Sequence, residues 1–171
     1  GCFIIKDIEF NFDVENNEAC IYLIDHSKKG LKEIIIPDSV QCNGSIYPVT
    51  GIKGSRFTRT VDKREKVTDK RKKNYGEYVT VGTYQTEVAK NVLGGEWENE
   101  RQIEKVILPK TLKKIGDYTF RHFNKLSKIN IPEGVESIGS NAFYGCKSLK
   151  SITIPSTVKE IGKYCFSETP E

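Results

Sequence analysis

Histidine occurs only twice in this sequence of 171 residues, at His26 and His122. The side chain that most often serves as an acid–base group or metal ligand near neutral pH is therefore scarce. The sequence has no C-x-x-C pair, which argues against a structural zinc site, and no G-x-S-x-G, H-E-x-x-H, P-loop or G-x-G-x-x-G motif. It also has no apolar run of about 18 residues that would cross a membrane. These absences predict a protein without an active site, a metal or a membrane-spanning helix, in which His122 is an exposed loop residue.

The net charge is concentrated in one segment. The whole chain carries +4, whereas residues 58–75 carry eight basic and three acidic side chains, and the rest of the chain sums to −1. Such a segment attracts polyanions, or it is a solvated hairpin arm or a flexible loop. It lacks the interleaved aromatic residues of a platform for single-stranded nucleic acid, so we expect no nucleic-acid partner. The candidate polyanion-binding residues are Arg59, Lys63, Arg64, Lys66, Lys70, Arg71, Lys72 and Lys73.

Residues 103–126, 126–149 and 149–166 repeat one another. Proline, phenylalanine and the dipeptide Ile-Gly each recur at intervals of 23 residues. The recurring positions are Pro109, Pro132 and Pro155, then Phe120, Phe143 and Phe166, and then Gly116, Gly139 and Gly162 with the isoleucines before them. A period of about 20 to 30 residues is typical of solenoid proteins.

Each repeat opens with the pattern of a short β-strand. In the third repeat Ile152 and Ile154 flank a polar residue, as in a strand with one buried face, and Pro155 ends the strand because it has no backbone donor. We expect Gly162 to supply a turn with positive φ, and a short helical turn to follow the polar pair Ser140-Asn141. One unit cannot bury its own apolar side chains, so the units must stack.

These features predict a mainly β fold with short helical turns. The spacing L-x-x-I-x-I at the start of each unit indicates a leucine-rich-repeat solenoid of 23-residue repeats, and the alternating N-terminal residues predict a β-hairpin that caps its exposed end. The predicted division is a hairpin cap at residues 1–30, a first looped repeat at 31–57, the basic insert at 58–75, a degenerate repeat at 76–102 with Trp97 in the phenylalanine position, and three units at 103–171, the last one shortened.

One of these repeats resembles a known consensus over nearly its whole length. The stretch IPEGVESIGSNAFYGCKSL, residues 131–149, is similar to I-P-x-x-V-x-x-I-G-x-x-A-F-x-x-C-x-x-L of the BspA-like leucine-rich repeats of bacterial and protist surface proteins. The resemblance covers residues 103–166, and residues 36–57 look like the first, looped repeat of that family. The resemblance implies a noncatalytic, secreted or surface-anchored protein, in some members an adhesin for host matrix proteins.

The predicted strands leave one face outside the core. If Ile152 and Ile154 point inward, the residues beside them point out and align with their equivalents in the two preceding repeats. Solenoids commonly bind ligands through such a face; an ordinary hydrated sheet surface is the alternative, and three strands are a small footprint for a tight protein partner. The candidate ligand-binding residues are Lys105, Ile107, Lys128, Asn130, Ser151 and Thr153, with the three repeat prolines expected on the same face.

The cysteines other than Cys2 are mostly explained without chemistry. Cys146 and Cys165 occupy positions that hold core residues in other repeats, so we expect them to be buried. Cys20 and Cys42 could pair, although an odd number leaves at least one thiol unpaired. Cys2 is a candidate for the lipid-modified first residue of a mature bacterial lipoprotein, and an ordinary N-terminal cysteine is the alternative.

The sequence therefore predicts a noncatalytic cell-surface or secreted binding module without a cofactor. Its partner would be a protein or glycan, such as a host matrix protein or a sulfated glycan, held on the repeat strand face. Only a lipid at Cys2 would attach it to a membrane. The alternative is a structural spacer, or an accessory module of a larger surface protein.

Overall fold

The computed structural model describes residues 2–5, 8–26, 30–94 and 102–170. These residues form β-strands and contain no α-helix, so the predicted mainly β class is confirmed. The strands are β1 (Cys2–Ile5), β2 (Ile8–Glu15), β3 (Glu18–His26), β4 (Glu33–Ile35), β5 (Ser39–Cys42), β6 (Ser45–Ile52), β7 (Ser55–Lys66), β8 (Tyr78–Lys90), β9 (Lys105–Ile107), β10 (Lys114–Ile115), β11 (Lys128–Ile129), β12 (Ser137–Ile138) and β13 (Glu160–Ile161).

The chain divides into two compact units. Residues 1–55 and 89–171 form the first, which we call the repeat unit, and residues 56–88 form the second, which we call the arm. Within the arm, β7 pairs with β8 as a two-stranded ribbon. The backbone N–H of Val67 donates to the carbonyl oxygen of Glu77 at 2.8 Å beside the turn that joins these strands.

One sheet of the repeat unit is a parallel ladder with one short strand from each repeat. β6, β10, β12 and β13 pair in that order. Ile115 is opposite Ile52 on one side and Ile138 on the other, and Ile138 is opposite Ile161. The last three isoleucines are 23 residues apart in sequence, so each repeat adds one strand at the same level.

The N-terminal residues extend this ladder at the β6 side. β2 and β3 are antiparallel and are joined at Asn16 and Asn17, which have φ of 52° and 61°. Asparagine tolerates this left-handed conformation, which a two-residue type I′ hairpin turn requires at both positions. β3 then pairs in parallel with β6. Phe10 and Phe12 of β2 are fully buried, so the hairpin contributes to the core.

A second sheet contains the strands that open the repeats, in the order β11-β9-β4. Ile34 is opposite Val106, and Val106 is opposite Ile129. β4 therefore pairs directly with β9, and no further strand lies between them. This differs from the predicted division, which placed a degenerate repeat at residues 76–102 between the looped repeat and residue 103.

The arm interrupts the first repeat near its middle. The N–H of Gly54 donates to the carbonyl oxygen of Asp117, and the N–H of Val92 donates to that of Thr119, both at 2.9 Å. Two segments on either side of the arm thus bond to almost adjacent residues of the next repeat. Residues 31–54 and those from 89 onward are therefore two halves of one repeat, and the arm includes residues 76–88, beyond the predicted insert of 58–75. Trp97 lies outside the described residues.

The core of the repeat unit is a column of matching side chains. Phe120 and Phe143 are completely buried, with ring centroids 5.3 Å apart, and Phe143 stacks on Phe166 at 5.5 Å. Leu126 and Leu149 are buried at the equivalent leucine positions. The residues that recur every 23 positions in the sequence are therefore the ones that pack against each other in the core.

The repeat glycines have a different role from the one predicted. A Cβ atom on Gly139 would lie 2.5 Å from the backbone nitrogen of Asp117, and one on Gly162 would lie 2.2 Å from that of Ser140. The repeat glycines are absent from the positive-φ residues, which instead include Asn141 at 57°. These glycines therefore allow close approach between repeats. The predicted helical turns are instead i→i+3 turns. In one of them the N–H of Cys146 donates to the carbonyl oxygen of Phe143 at 3.2 Å, with left-handed Gly145 inside the turn.

Candidate functional site

The strand face of the second sheet carries the predicted ligand-binding residues. On β9, Lys105 and Ile107 are exposed, whereas Val106 between them is buried. On β11, Lys128 is exposed and Ile129 is buried, and Asn130 directly after the strand is exposed again. Alternation along the strands thus sends these side chains to the outer face.

A shallow groove of about 520 Å³ brings all six predicted residues together. We call it the strand groove. Its lining residues from the prediction are Lys105, Ile107, Lys128, Asn130, Ser151 and Thr153. Ser151 and Thr153 line the groove although their segment is not part of the sheet.

The flanking prolines do not all share this face. Pro109 and Pro155 are buried, against the expectation, and only Pro132 is half-buried and lines the groove. Pro109 and Pro132 lie beyond the ends of β9 and β11, and Pro155 follows a segment that is not a strand, so the in-and-out alternation of a strand does not apply to them.

Sequence reasoning missed the contribution of β4 to this face. Glu33 lies opposite Lys105, and Ile35 lies opposite Ile107. A carboxylate oxygen of Glu33 is 3.2 Å from the Nζ of Lys105. The signal was present in the sequence, because Ile34-x-Ile36-Pro37 has the same pattern as the strand openings of the later repeats.

The outer face therefore presents two rows that run across the strands. One row is charged and polar: Glu33, Lys105, Lys128 and Ser151. The other begins with two isoleucines, with Ile35 56% exposed and Ile107 38% exposed, and continues to Asn130 and Thr153. Among the described residues Lys128 forms no ion pair. The groove can thus hold a ligand that offers an apolar group beside an anionic one.

A second groove of about 570 Å³ lies along β10, β12 and β13. Its lining includes Lys114, Asp117, Lys159 and Glu160, and the ion pair of Lys113 with Glu18 lies outside that lining. The Nζ of Lys113 donates to Glu18 at 2.5 Å, and this bond lowers the pKa of Glu18 and raises that of Lys113. The Oδ1 of Asp117 accepts from the N–H of Ser140 at 2.8 Å.

The predicted polyanion-binding residues all lie in the arm. Arg59, Lys63, Arg64 and Lys66 are on β7, and the remaining four occupy the turn between β7 and β8 at residues 70–73. All eight side chains are exposed. Arg71 donates to both carboxylate oxygens of Asp69, at 3.0 and 2.9 Å.

Four cysteines have described side chains, and all four are free thiols. Cys146 and Cys165 are buried as predicted; desolvation raises the pKa of Cys146 to about 12 and that of Cys165 to about 11. Cys20 and Cys42 are free thiols rather than a pair. The side chain of Cys2 lies outside the described part of the chain, as does that of His26.

The sequence predicted that His122 is exposed, but in the structure it is half-buried. Its ring packs edge-to-face on Tyr144 at 5.5 Å. A Cβ atom on Gly145 would lie 2.6 Å from the Nδ1 of His122, so the glycine leaves room for the ring. In the described residues no group of three metal-binding side chains comes together, and no helix there is long and apolar enough to cross a membrane.

The stacked parallel strands and buried leucine and phenylalanine columns define a leucine-rich-repeat fold, and solved structures share it. A leucine-rich repeat protein from Bacteroides ovatus has a TM-score of 0.62 at 23% identity over 98% of this chain. A leucine-rich repeat protein from Bacteroides capillosus has 0.63 at 24% identity over 98%. The leucine-rich repeat protein of T. pallidum has 0.51 at 17% identity over 92%. The chain spans 33% of the first protein, 91% of the second and 64% of the third.

The type of leucine-rich repeat is identified by a match to a known family. Residues 95–170 match the BspA type leucine-rich repeat region, in six copies, so the resemblance drawn from the 23-residue consensus is confirmed for this part of the chain. A comparison with curated proteins finds no match.

Proposed function

We propose that this chain is a noncatalytic ligand-binding module, displayed on a bacterial cell surface or secreted, and that it binds a protein or glycan in the strand groove. The observation that carries the proposal is the pair of outer rows. Exposed Ile107 lines the groove together with Lys128, which has no ion-pair partner among the described residues, and exposed Ile35 lies opposite Ile107 on the neighbouring strand. An apolar contact next to an available cation suits a ligand with an acidic and an apolar group. The match of residues 95–170 to the BspA type repeat supports a place at the cell surface.

The size of the groove sets the expected affinity. Specific protein complexes of standard size bury about 1,600 Å² in total, and a face three strands wide is smaller than that. We therefore expect weak to moderate binding to a single ligand segment, which several repeats or several copies would strengthen by avidity.

Binding to a panel of extracellular matrix proteins and glycans tests the proposal. The Lys128→Glu variant reverses the available charge in the strand groove, and the Lys114→Glu variant makes the same change in the second groove as a matched control. We expect saturable binding that the first variant weakens and the second leaves unchanged. Equal loss in both variants, or binding that neither affects, would exclude the strand groove as the site.

The alternative is a structural spacer or accessory module within a longer surface protein. It is favoured by the Bacteroides ovatus relative, of which this chain spans only 33%. Because each repeat adds one strand to the parallel ladder, such a module lengthens without changing its cross-section. The spacer role predicts that no member of the panel binds in a saturable manner.

A further inference from the structure

The arm carries the entire net charge of the protein. Residues 56–88 contain nine basic and five acidic side chains, a net charge of +4, and the whole chain also carries +4. The repeat unit is therefore neutral overall. The excess positive charge therefore belongs to the arm, which has 33 of the 171 residues.

Ion pairs within the arm leave the positive charge at one end of it. Arg56 pairs with Glu87, Lys63 with Glu65 at 3.1 Å, and Arg71 with Asp69 at 2.9 Å. The basic side chains of the arm that form no ion pair among the described residues cluster toward the turn: they are Arg64, Lys66, Lys70, Lys72 and Lys73. All five are exposed.

Tyrosine rings lie beside this cluster. Tyr75 is 52% exposed and Tyr78 is 63% exposed. Pairing between Val67 and Glu77 places the start of β8 next to the end of β7, so Tyr78 is adjacent to the basic residues of that strand. Tyr75 is the last residue of the basic segment 58–75, whereas Tyr78 comes from the second strand of the ribbon, outside that segment.

We propose that the turn end of the arm is a binding site for a sulfated polysaccharide, separate from the strand groove. Four of the five available cations are lysines, which act as point charges on flexible stems and so adapt to sulfate groups of variable spacing. Exposed tyrosine rings offer an apolar surface and a polar hydroxyl to sugar rings. Base reading in duplex DNA instead uses bidentate Arg, Asn or Gln contacts, and single-stranded nucleic acid requires a basic groove with several stacking rings.

Dextran sulfate is the probe, with unsulfated dextran, a short DNA duplex and anionic phospholipid vesicles beside it. The test variant of the full chain carries Lys70→Gln, Lys72→Gln and Lys73→Gln. The matched control carries Lys110→Gln, Lys125→Gln and Lys150→Gln, which removes the same charge from exposed positions of the repeat unit. We expect the wild type and the control to bind dextran sulfate equally, and the test variant to bind at least about tenfold more weakly near 0.15 M salt.

A second variant tests the tyrosines. Tyr75→Ala with Tyr78→Ala is expected to weaken binding by a factor that salt does not change, since ring contacts are not screened as charges are. The proposal is overturned if the lysine variant binds as the wild type does, if the control loses as much, or if duplex DNA or vesicles bind more tightly than dextran sulfate. The lysine and tyrosine test variants lie in the arm and leave the residues of the strand groove unchanged, so a failure of this proposal leaves the proposed function standing.

Discussion

At the scale of single residues, the repeat glycines allow neighbouring repeats to approach each other closely. The 23-residue recurrence of Gly116, Gly139 and Gly162 was visible in the sequence. A glycine can be required for its backbone freedom or for its missing side chain, and sequence alone does not separate the two reasons. The structure does, because the distances from a Cβ atom to the neighbouring repeat are too short for any other residue.

Replacing Gly139 with alanine is expected to destabilise the repeat unit. The added Cβ would lie 2.5 Å from both the backbone nitrogen and the Oδ1 of Asp117, and such overpacking costs about 1–3 kcal/mol. Urea denaturation measures the change in the free energy of unfolding. Gly82→Ala is the control, since nothing lies within 4 Å of the added atom there. An unchanged midpoint for Gly139→Ala would contradict the close-packing explanation.

The buried thiols predict how stability depends on pH. Desolvation raises the pKa of Cys146 to about 12, so this thiol stays protonated in the folded chain while the unfolded chain ionises from about pH 9. The unfolded state then binds fewer protons, and the stability falls as pH rises above 9. The slope is expected to be smaller in Cys146→Ala than in the wild type, as followed by urea denaturation at several pH values. Equal slopes would show that the thiol ionises equally in both states.

At the scale of the elements, the phenylalanine column holds the repeats together. Phe143 stacks on Phe120 and on Phe166, so the Phe143→Ala variant loses contacts in three repeats at once. We expect a loss of about 3–5 kcal/mol in the free energy of unfolding, measured by chemical denaturation. Tyr164→Ala, at a side chain that is 66% exposed, should change it little. Similar losses in both variants would mean that the column is not the main source of stability.

The elements also show how much of the fold and of the candidate site could be predicted from the sequence. The opening strands around Val106 and Ile129, the buried cysteines and the six outward residues of the strand groove followed from the 23-residue spacing, whereas the strand predicted at Ile152–Ile154 is not present. The assignment of residues 76–102 did not, because counting back by 23 from Phe120 assumes an uninterrupted chain. The arm breaks that count, and only the hydrogen bonds of Gly54 and Val92 to the next repeat reveal where the repeat resumes. The contribution of Glu33 and Ile35 to the site was missed for the same reason, since β4 pairs directly with β9.

At the scale of the whole molecule, the arm is expected to be dispensable for folding of the repeat unit. A Cβ on Gly54 would lie 2.4 Å from the carbonyl oxygen of Lys90, so the chain leaves and re-enters the repeat at nearly the same point, and a short linker can close the gap. Replacing residues 57–87 with a short Gly-Ser linker should preserve the circular dichroism spectrum and shift Tm by no more than a few degrees. A large loss of stability would show that the arm is part of the folding unit.

The central claim is that the strand groove holds the ligand, and a matched pair of isoleucine variants tests it most directly. Ile107 is exposed in the strand groove, and Ile161 is 49% exposed in the second groove. The measurement is the Kd of the ligand found in the panel for Ile107→Arg and for Ile161→Arg. We predict that Kd rises by about tenfold or more for Ile107→Arg, which is about 1.4 kcal/mol or more, and does not change for Ile161→Arg. An unchanged Kd for Ile107→Arg, or a rise only for Ile161→Arg, would contradict the account.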